Sequence, residues 1–130
     1  SGRKSSEYAP RWRLGPQIGC GAFARVFVAY DPVKRRQVAI KQIPIDPTAA
    51  KEVAKVQKEI EIMRELKHPN IVRYLGTHSS RQELYIVMEY VRGGSISEYL
   101  ELRGKLGLPV RQAWCYMTML LDGLCFLHSN

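Results

Sequence analysis

A lysine in a strand-like run and a glutamate in an amphipathic helix are the side chains best placed for chemistry in this sequence. Alternation along the run V-A-I-K puts Val38 and Ile40 on one face of a strand and Ala39 and Lys41 on the other, and taken alone such a lysine more often lies on the solvated face of a sheet. Glu59 falls between Met63 and Leu66 on a helical wheel, within the apolar arc of its helix. A buried carboxylate is unfavourable unless it meets a cation or hydrogen-bond donors. The pattern therefore predicts that Glu59 is buried and that Lys41 is its partner.

A glycine-containing segment, I-G-C-G-A-F-A-R-V at residues 18–26, is the second feature that could bind a ligand. Glycines let a ligand approach the backbone closely and present N–H groups to anionic oxygens, although any tight β-turn also uses glycine. A dinucleotide-binding fold needs a helix after the glycines, and the strand-like run that follows here excludes that alternative. Ala24 occupies the position of the third glycine in G-x-G-x-x-G, and this change is expected to stiffen the loop slightly.

The periodicity of apolar residues predicts the elements that must position these groups. One long helix is predicted over residues 48–67 and is stopped by H-P-N at 68–70. After a G-G joint, Ser95 is predicted to cap a short helix, and Leu108-Pro109 introduces a final apolar helix that runs to about His128. The predicted strands cover residues 14–18, 25–30, 37–43, 71–75 and 83–90. This order predicts an α+β fold with one mostly antiparallel sheet.

The composition is that of one soluble globular domain, with 130 residues, 45% hydrophobic and 25% charged. No apolar run approaches the roughly 18–20 residues that span a bilayer, and the opening residues lack a signal-peptide core. The three cysteines have no metal-ligand spacing. Two of them, Cys115 and Cys125, lie in the apolar final helix and are expected to be buried. These features favour a cytoplasmic or nuclear protein without a membrane segment.

The formal charge of +8 comes from 20 basic and 12 acidic side chains. The basic residues are scattered along the chain and are not interleaved with exposed aromatic residues, which argues against a nucleic-acid-binding domain. A solvated charged surface is the simpler explanation. Attraction to anionic partners, such as nucleotide phosphates or acidic docking segments, is the alternative.

The order and spacing of the motifs resemble the small lobe of eukaryotic protein kinases. The matching features are the glycine segment, V-A-I-K, and a helix glutamate that is followed by L-K-H-P-N-I-V. The segments E-Y-V at 89–91 and G-G-S at 93–95 resemble the hinge into the large lobe. Within that family, G-C-G-A-F-x-R-V-F and H-P-N-I-V-R-Y-L-G-T are most similar to the mitogen-activated protein kinase kinase kinases.

The resemblance covers roughly residues 12–130 and implies a division of the chain. Residues 1–11 would be a flexible lead-in or a tag remnant. Residues 12–90 would form the kinase small lobe, a five-stranded antiparallel sheet plus one long helix. Residues 91–130 would form the hinge and the first two helices of a truncated large lobe.

The resemblance also assigns roles to individual residues. Lys41 would hold the α- and β-phosphates of ATP and pair with Glu59, an ion pair that the active state requires. Met88 would be the gatekeeper at the back of the pocket, and the backbones of Glu89 and Val91 would hydrogen-bond the adenine edge. Two further sets complete the implied nucleotide site. The adenine roof would be Ile18, Val26 and Ala39, and the phosphate cover would be Gly19, Cys20, Gly21, Ala22, Phe23 and Ala24, with Arg25 beside it.

The implied activity is transfer of the ATP γ-phosphoryl group to a serine or threonine of another protein, with Mg²⁺ as cofactor and a downstream kinase as the expected substrate. The family's H-R-D-x-x-x-x-N, D-F-G and A-P-E motifs have no match within the 130 residues. The chain is therefore expected to be catalytically incomplete alone, with magnesium ligands beyond Asn130. A pseudokinase-type module that binds nucleotide or a partner without catalysis is the alternative. The apolar final helix is also expected to make the isolated chain self-associate.

Overall fold

Five antiparallel strands form one sheet in the computed structural model, which describes residues 12–46 and 48–130. The strands are β1 (Arg13–Cys20), β2 (Arg25–Asp31), β3 (Arg36–Pro44), β4 (Tyr74–Ser79) and β5 (Glu83–Glu89). Their order across the sheet is β1-β2-β3-β5-β4, so β1 and β4 are its edges. The sheet confirms the predicted α+β class. The predicted lead-in at residues 1–11 lies outside the described residues.

The described residues contain three α-helices, α1 (Ala50–Glu65), α2 (Ile96–Arg103) and α3 (Val110–Ser129), with a short 3-10 turn at Gly104–Leu106. Helix α1 is shorter at both ends than the predicted 48–67. Before its start, the Asp46 carboxylate accepts hydrogen bonds from the N–H and the hydroxyl of Thr48 (2.8 and 2.7 Å), which hold Thr48 in a turn. Beyond its end, Leu66 has an extended backbone and its N–H donates to the carbonyl of Met63.

The fourth strand begins later than the sequence predicts. The predicted start of this strand at Ile71 is wrong. The N–H of Ile71 donates to the carbonyl of His68 (3.2 Å), so the chain is still turning there. Strand β4 instead continues to Ser79, which is paired with Leu84 of β5. The residues after Leu75 are mostly polar, and an edge strand with a solvated face accommodates them.

The sheet packs apolar side chains on both of its faces. On one face Val38 and Ile40 are each 1% exposed and form the centre of an apolar cluster. On the opposite face Ile60 of α1 packs against Ile86 of β5. The alternation predicted for β3 is thus confirmed, because Lys41 projects to the face on which the helix packs.

The apolar side of α3 is exposed along most of its length. Val110 is 75% exposed and Trp114 is 69% exposed, and only Gly123 of this helix is buried. Cys115 and Cys125 are exposed free thiols, so the expectation that they are buried is wrong. A helical apolar pattern identifies a face suited to burial, but it does not supply the neighbour that would cover that face. Self-association through this face stays a prediction. Among the described residues, no helix is long and apolar enough to cross a membrane.

Ser95 caps α2 as the sequence predicts. Its hydroxyl accepts the N–H of Glu98 (3.1 Å), and the Glu98 carboxylate accepts the N–H of Ser95 (2.6 Å). These bonds, above all the one from the Ser95 backbone, hold the pKa of Glu98 below its ordinary value. The resulting stabilisation is present at neutral pH and is lost as the pH falls through the lowered pKa. The φ of 74° at Gly94 favours glycine, and a Cβ atom there would also displace the Glu98 carboxylate from the N–H of Ser95.

Replacing Ser95 by alanine is expected to destabilise α2 by about 1 kcal/mol, because the N–H of Glu98 loses its partner. No residue of α2 is buried, so we expect the helix to open locally before the sheet unfolds. Hydrogen exchange at the α2 amides should accelerate about fivefold in Ser95→Ala. Ser97→Ala is the matched control, since Ser97 lies in the same turn but outside the cap. Equal protection in the two variants would contradict the capping role.

Candidate functional site

A cleft of about 320 Å³ lies between the sheet and α1 and brings together Lys41, Glu59 and Met88. The rest of its lining is apolar and consists of Ile43, Val56, Ile62, Met63 and Ile86. We call this cavity the lysine cleft. An ammonium group beside apolar walls attracts an anion more strongly than one in bulk water, because the local dielectric constant is lower. Lys41 is therefore the group of this lining suited to hold an anion, and Glu59 is the other charged residue beside it.

Strand register explains why Lys41 faces the lysine cleft. Lys41 is paired with Val26 of β2 and with Ile86 of β5, and Ala39 is paired with Met88. Directly opposed residues of antiparallel strands project from the same face of a sheet, as do residues two apart in one strand. All five side chains therefore share one face. Val26 and Ala39, assigned from the sequence to the adenine roof, lie on this face but do not line the lysine cleft itself.

Glu59 is exposed, so the prediction of a buried glutamate is wrong. Its carboxylate is not within 4.0 Å of the Lys41 ammonium, and His68–Asp122 is the one ion pair within that distance in the described part of the chain. The residue that α1 buries against the sheet is Ile60, and its neighbour Glu59 is turned about 100° away from it. Both charged groups line the same cleft, so no strand separates them. Their ion pair stays a prediction.

The glycine segment forms the tip of the β1–β2 hairpin. Cys20 is paired with Arg25, and the N–H of Gly21 donates to the carbonyl of Ala24 (2.8 Å). Gly19 and Gly21 are not among the described glycines with positive φ. A Cβ atom on Gly19 would lie 3.6 Å from Cβ of Val26, an ordinary contact. The fold itself therefore tolerates a side chain at Gly19, and close approach of a ligand is the remaining physical reason for glycine there.

The other predicted loop residues lie on or beside this hairpin tip. Ile18 is 46% exposed and lies in an irregular stretch of β1, between the pairs made by Gln17 and Gly19. Phe23 is 84% exposed, and Cys20 is an exposed free thiol. Gly21 and Ala22 are exposed as well, while Ala24 is half-buried. None of the hairpin residues lines the lysine cleft, so the hairpin is not closed over it.

The segment after β5 carries the two residues assigned to the adenine edge. Glu89 ends β5, and its N–H donates to the carbonyl of Arg73 (2.9 Å), so a ligand contact at Glu89 would use its carbonyl oxygen. Val91 is 55% exposed. The guanidinium of Arg92 donates to the side-chain carbonyl of Gln37 at 2.9 Å, which links this segment to the start of β3.

Five walls of the lysine cleft were not among the site residues predicted from the sequence, namely Ile43, Val56, Ile62, Met63 and Ile86. Ile86 could have been found from the pairing of β3 with β5, because it lies opposite Lys41. Ile62 is 55% exposed and lies outside the apolar arc of α1, so no periodic signal marks it.

Comparison with protein families gives a match to the model described as "Protein kinase domain", over residues 12–130. The chain is 42% identical to "Mitogen-activated protein kinase kinase kinase 3" of Arabidopsis thaliana over 98% of its own length and 20% of the relative. It is 39% identical to the Homo sapiens protein of that name, over 98% of the chain and 21% of the relative. It is 32% identical to "MAP3K epsilon protein kinase 1" of Brassica napus, over 98% of the chain and 10% of the relative. The chain thus spans about a fifth or less of these relatives.

Proposed function

The chain belongs to the protein kinase domain family, and on that premise we propose that it forms the ATP-holding part of a protein kinase. The whole protein would transfer the ATP γ-phosphoryl group to a serine or threonine of another protein. Its substrate would be a downstream kinase in a mitogen-activated protein kinase cascade. This assignment follows from the names of the similar proteins, which are kinase kinase kinases of such cascades.

The observation that carries this proposal is the common position of Lys41, Glu59 and Met88 around the lysine cleft. Lys41 would hold the α- and β-phosphates of ATP with its ammonium group, and Glu59 would orient that ammonium through an ion pair made on binding. Met88 would limit the depth of the cleft behind the adenine. Catalysis in this family depends mainly on positioning and electrostatic stabilisation of the phosphates, which these groups are suited to provide.

Magnesium ligands are not assigned to this chain. The described residues contain no group of three or more His, Cys, Asp and Glu side chains arranged to hold a metal ion. No step proposed here passes through the metal. The role of the described residues is to bind and orient ATP.

A nucleotide-binding module without catalysis is the second candidate, favoured by the separation of Lys41 from Glu59 beyond 4.0 Å. Phosphoryl transfer from ATP to a downstream kinase, measured with the whole protein, distinguishes the candidates. Transfer above the background of a sample without the protein supports the kinase. ATP binding with no transfer supports the module.

Replacing Gly19 by alanine is expected to weaken ATP binding about tenfold, because the added methyl group would hold the phosphates away from the loop backbone at the cost of about one charge-assisted hydrogen bond. The fold should be unchanged, because the added Cβ atom makes only ordinary contacts with Val26. The measurement is titration of a fluorescent ATP analogue with the 130-residue chain. Gly76→Ala is the control, since nothing lies within 4 Å of a Cβ atom there and Gly76 is on β4. Equal affinities of the two variants would count against phosphate cover by the hairpin.

A further inference from the structure

A second cavity, of about 460 Å³, lies between the end of α1 and β4 and collects three cationic side chains. Arg64 belongs to α1, Lys67 follows that helix, and Arg73 directly precedes β4. The remaining lining residues carry no charge and are Leu66, Tyr74, Leu75, Gly76 and Thr77. We call this cavity the basic cleft. It shares no residue with the lysine cleft, so it is a separate candidate site.

The three cations of the basic cleft have no carboxylate partner within 4.0 Å, since His68–Asp122 is the one ion pair of that length among the described residues. The Arg64 guanidinium lies 6.0 Å from the centre of the Tyr74 ring, a cation–π contact that keeps it at the cleft. An adjoining cavity lined by Lys67 and Arg73 includes Glu89, but its carboxylate forms no ion pair with either cation. Unneutralised like charges around one cavity create a positive potential that attracts anions.

Attraction to the end of a helix explains only part of this arrangement. Arg64 is in the last turn of α1, where a cation is favoured by the partial negative charge of the helix carbonyls. Lys67 lies just beyond that turn and benefits less. Arg73 is on the other wall of the cavity, next to β4, and gains nothing from the helix. A ligand with negative charges accounts for all three side chains together.

The outer edge of β4 forms the strand-side wall of the basic cleft. Five consecutive residues, 73–77, line the cavity, and a register irregularity between Tyr74 and Gly76 interrupts the alternation of side chains there. The cleft therefore runs along the first residues of β4, at the side of the sheet where that strand is the last one. Among the five described strands, β4 has a neighbour on one side only, so N–H and C=O groups of its outer edge lack a strand partner. No atom lies within 4 Å of a Cβ position at Gly76, so the face of the strand is open there.

We propose that the basic cleft docks an extended acidic segment of a partner protein. The backbone of that segment would add to the free edge of β4, and its carboxylate or phosphate groups would bind Arg64, Lys67 and Arg73. Strand addition supplies backbone hydrogen bonds, while charge-assisted bonds from the two guanidinium groups and the ammonium select acidic sequences. This binding does not depend on ATP, because the two clefts have separate linings.

The test uses a short labelled peptide in which glutamate alternates with valine. Fluorescence anisotropy measures its binding to the 130-residue chain. Changing Arg64, Lys67 and Arg73 together to glutamine should weaken binding about tenfold or more, as the loss of three exposed ion pairs predicts. The matched control changes Lys34, Arg35 and Arg36 to glutamine, which removes the same charge from exposed positions at the β2–β3 turn and the start of β3. The control should retain nearly full affinity.

Three results would overturn the proposal: no binding of the acidic peptide, equal weakening in the two triple variants, or equal binding of a peptide with glutamine in place of glutamate. A peptide methylated on alternate backbone nitrogens tests strand addition, and undiminished binding of that peptide would refute pairing with β4. The single variant Lys67→Gln, at an exposed position outside the helix, tests the charge contribution if the triple variant does not fold. A phosphoserine peptide identifies the preferred anion. Tighter binding than that of the glutamate peptide supports a phosphorylated segment, and weaker binding supports a carboxylate-rich segment.

Discussion

Replacing Lys41 by methionine is expected to lower phosphoryl transfer by the whole protein by about 100-fold to 1000-fold, the effect of removing one preorganised electrostatic contact to the reacting group. The physical reason is that Lys41 is the cation of the lysine cleft and faces the same cavity as Glu59 and Met88. Without it, the phosphates of ATP would lose a charge-assisted contact while the apolar walls remain. The measurement is the initial rate of phosphate transfer from labelled ATP to a downstream kinase.

The matched control for this experiment is Lys34→Met, because Lys34 is exposed in the turn between β2 and β3. That variant should transfer phosphate at the rate of the unaltered protein. Methionine is close to the lysine stem in size and shape, so we expect both variants to fold. Thermal unfolding of both variants checks this. A folded Lys41→Met protein with near-normal turnover would show that the role assigned to Lys41 is wrong.

Replacing Ile40 by alanine is expected to lower the free energy of unfolding by about 2–5 kcal/mol, the range for truncating a large buried aliphatic side chain. Ile40 is 1% exposed and packs in the cluster that contains Val38, Ala29 and Val87. A cavity in the centre of this cluster would remove contacts from both β2 and β5. Urea unfolding, followed by circular dichroism of the 130-residue chain, measures the loss.

Two further variants make the Ile40 experiment decisive. Ile62→Ala makes the same chemical change at a side chain that is 55% exposed on α1, and its effect on the free energy of unfolding should be within about 0.5 kcal/mol. Ile40→Val should cost about 0.5–1.5 kcal/mol and gives a graded value if the alanine variant is too unstable to fold. Equal losses in Ile40→Ala and Ile62→Ala would contradict the burial of Ile40 in the apolar cluster on the side of β3 opposite α1.

The Lys41 and Ile40 experiments address adjacent residues with opposite surroundings. Alternation along β3 puts Ile40 in the apolar cluster and Lys41 toward α1. Truncating Ile40 should therefore affect stability more than the chemistry of the lysine cleft, whereas replacing Lys41 should affect the chemistry more than stability. Measuring both properties for both variants tests whether the two faces of this strand serve separate purposes.

Local patterns were sufficient for several features of this protein. The alternation of V-A-I-K indicated which face of β3 carries Lys41, because the period of a strand is a property of the backbone. The cap at Ser95 was also predictable, since the partners of a capping box are only three residues apart. Likewise, Pro109 was expected to precede the last helix, and it immediately precedes Val110 of α3.

Features that depend on distant residues were not predictable. The exposure of Glu59 depends on how α1 is rotated about its axis, and the contact of Ile60 with β5 decides that rotation. The start of β4 depends on which residues pair with β5, and the turn at His68 delays that pairing. The exposure of Cys115 depends on what covers α3, which its own periodicity does not specify.

The sequence by itself therefore determined the order of the elements, the direction of Lys41 and the family to which the chain is similar. These follow from backbone periodicity and from motifs of a few adjacent residues. Only the tertiary structure decided that Lys41 and Glu59 line one cleft without touching, and that Arg64 and Arg73 meet across another. These arrangements are between residues far apart in sequence. Strand register and the rotation of the helix determine them, and both depend on the packing of the whole domain.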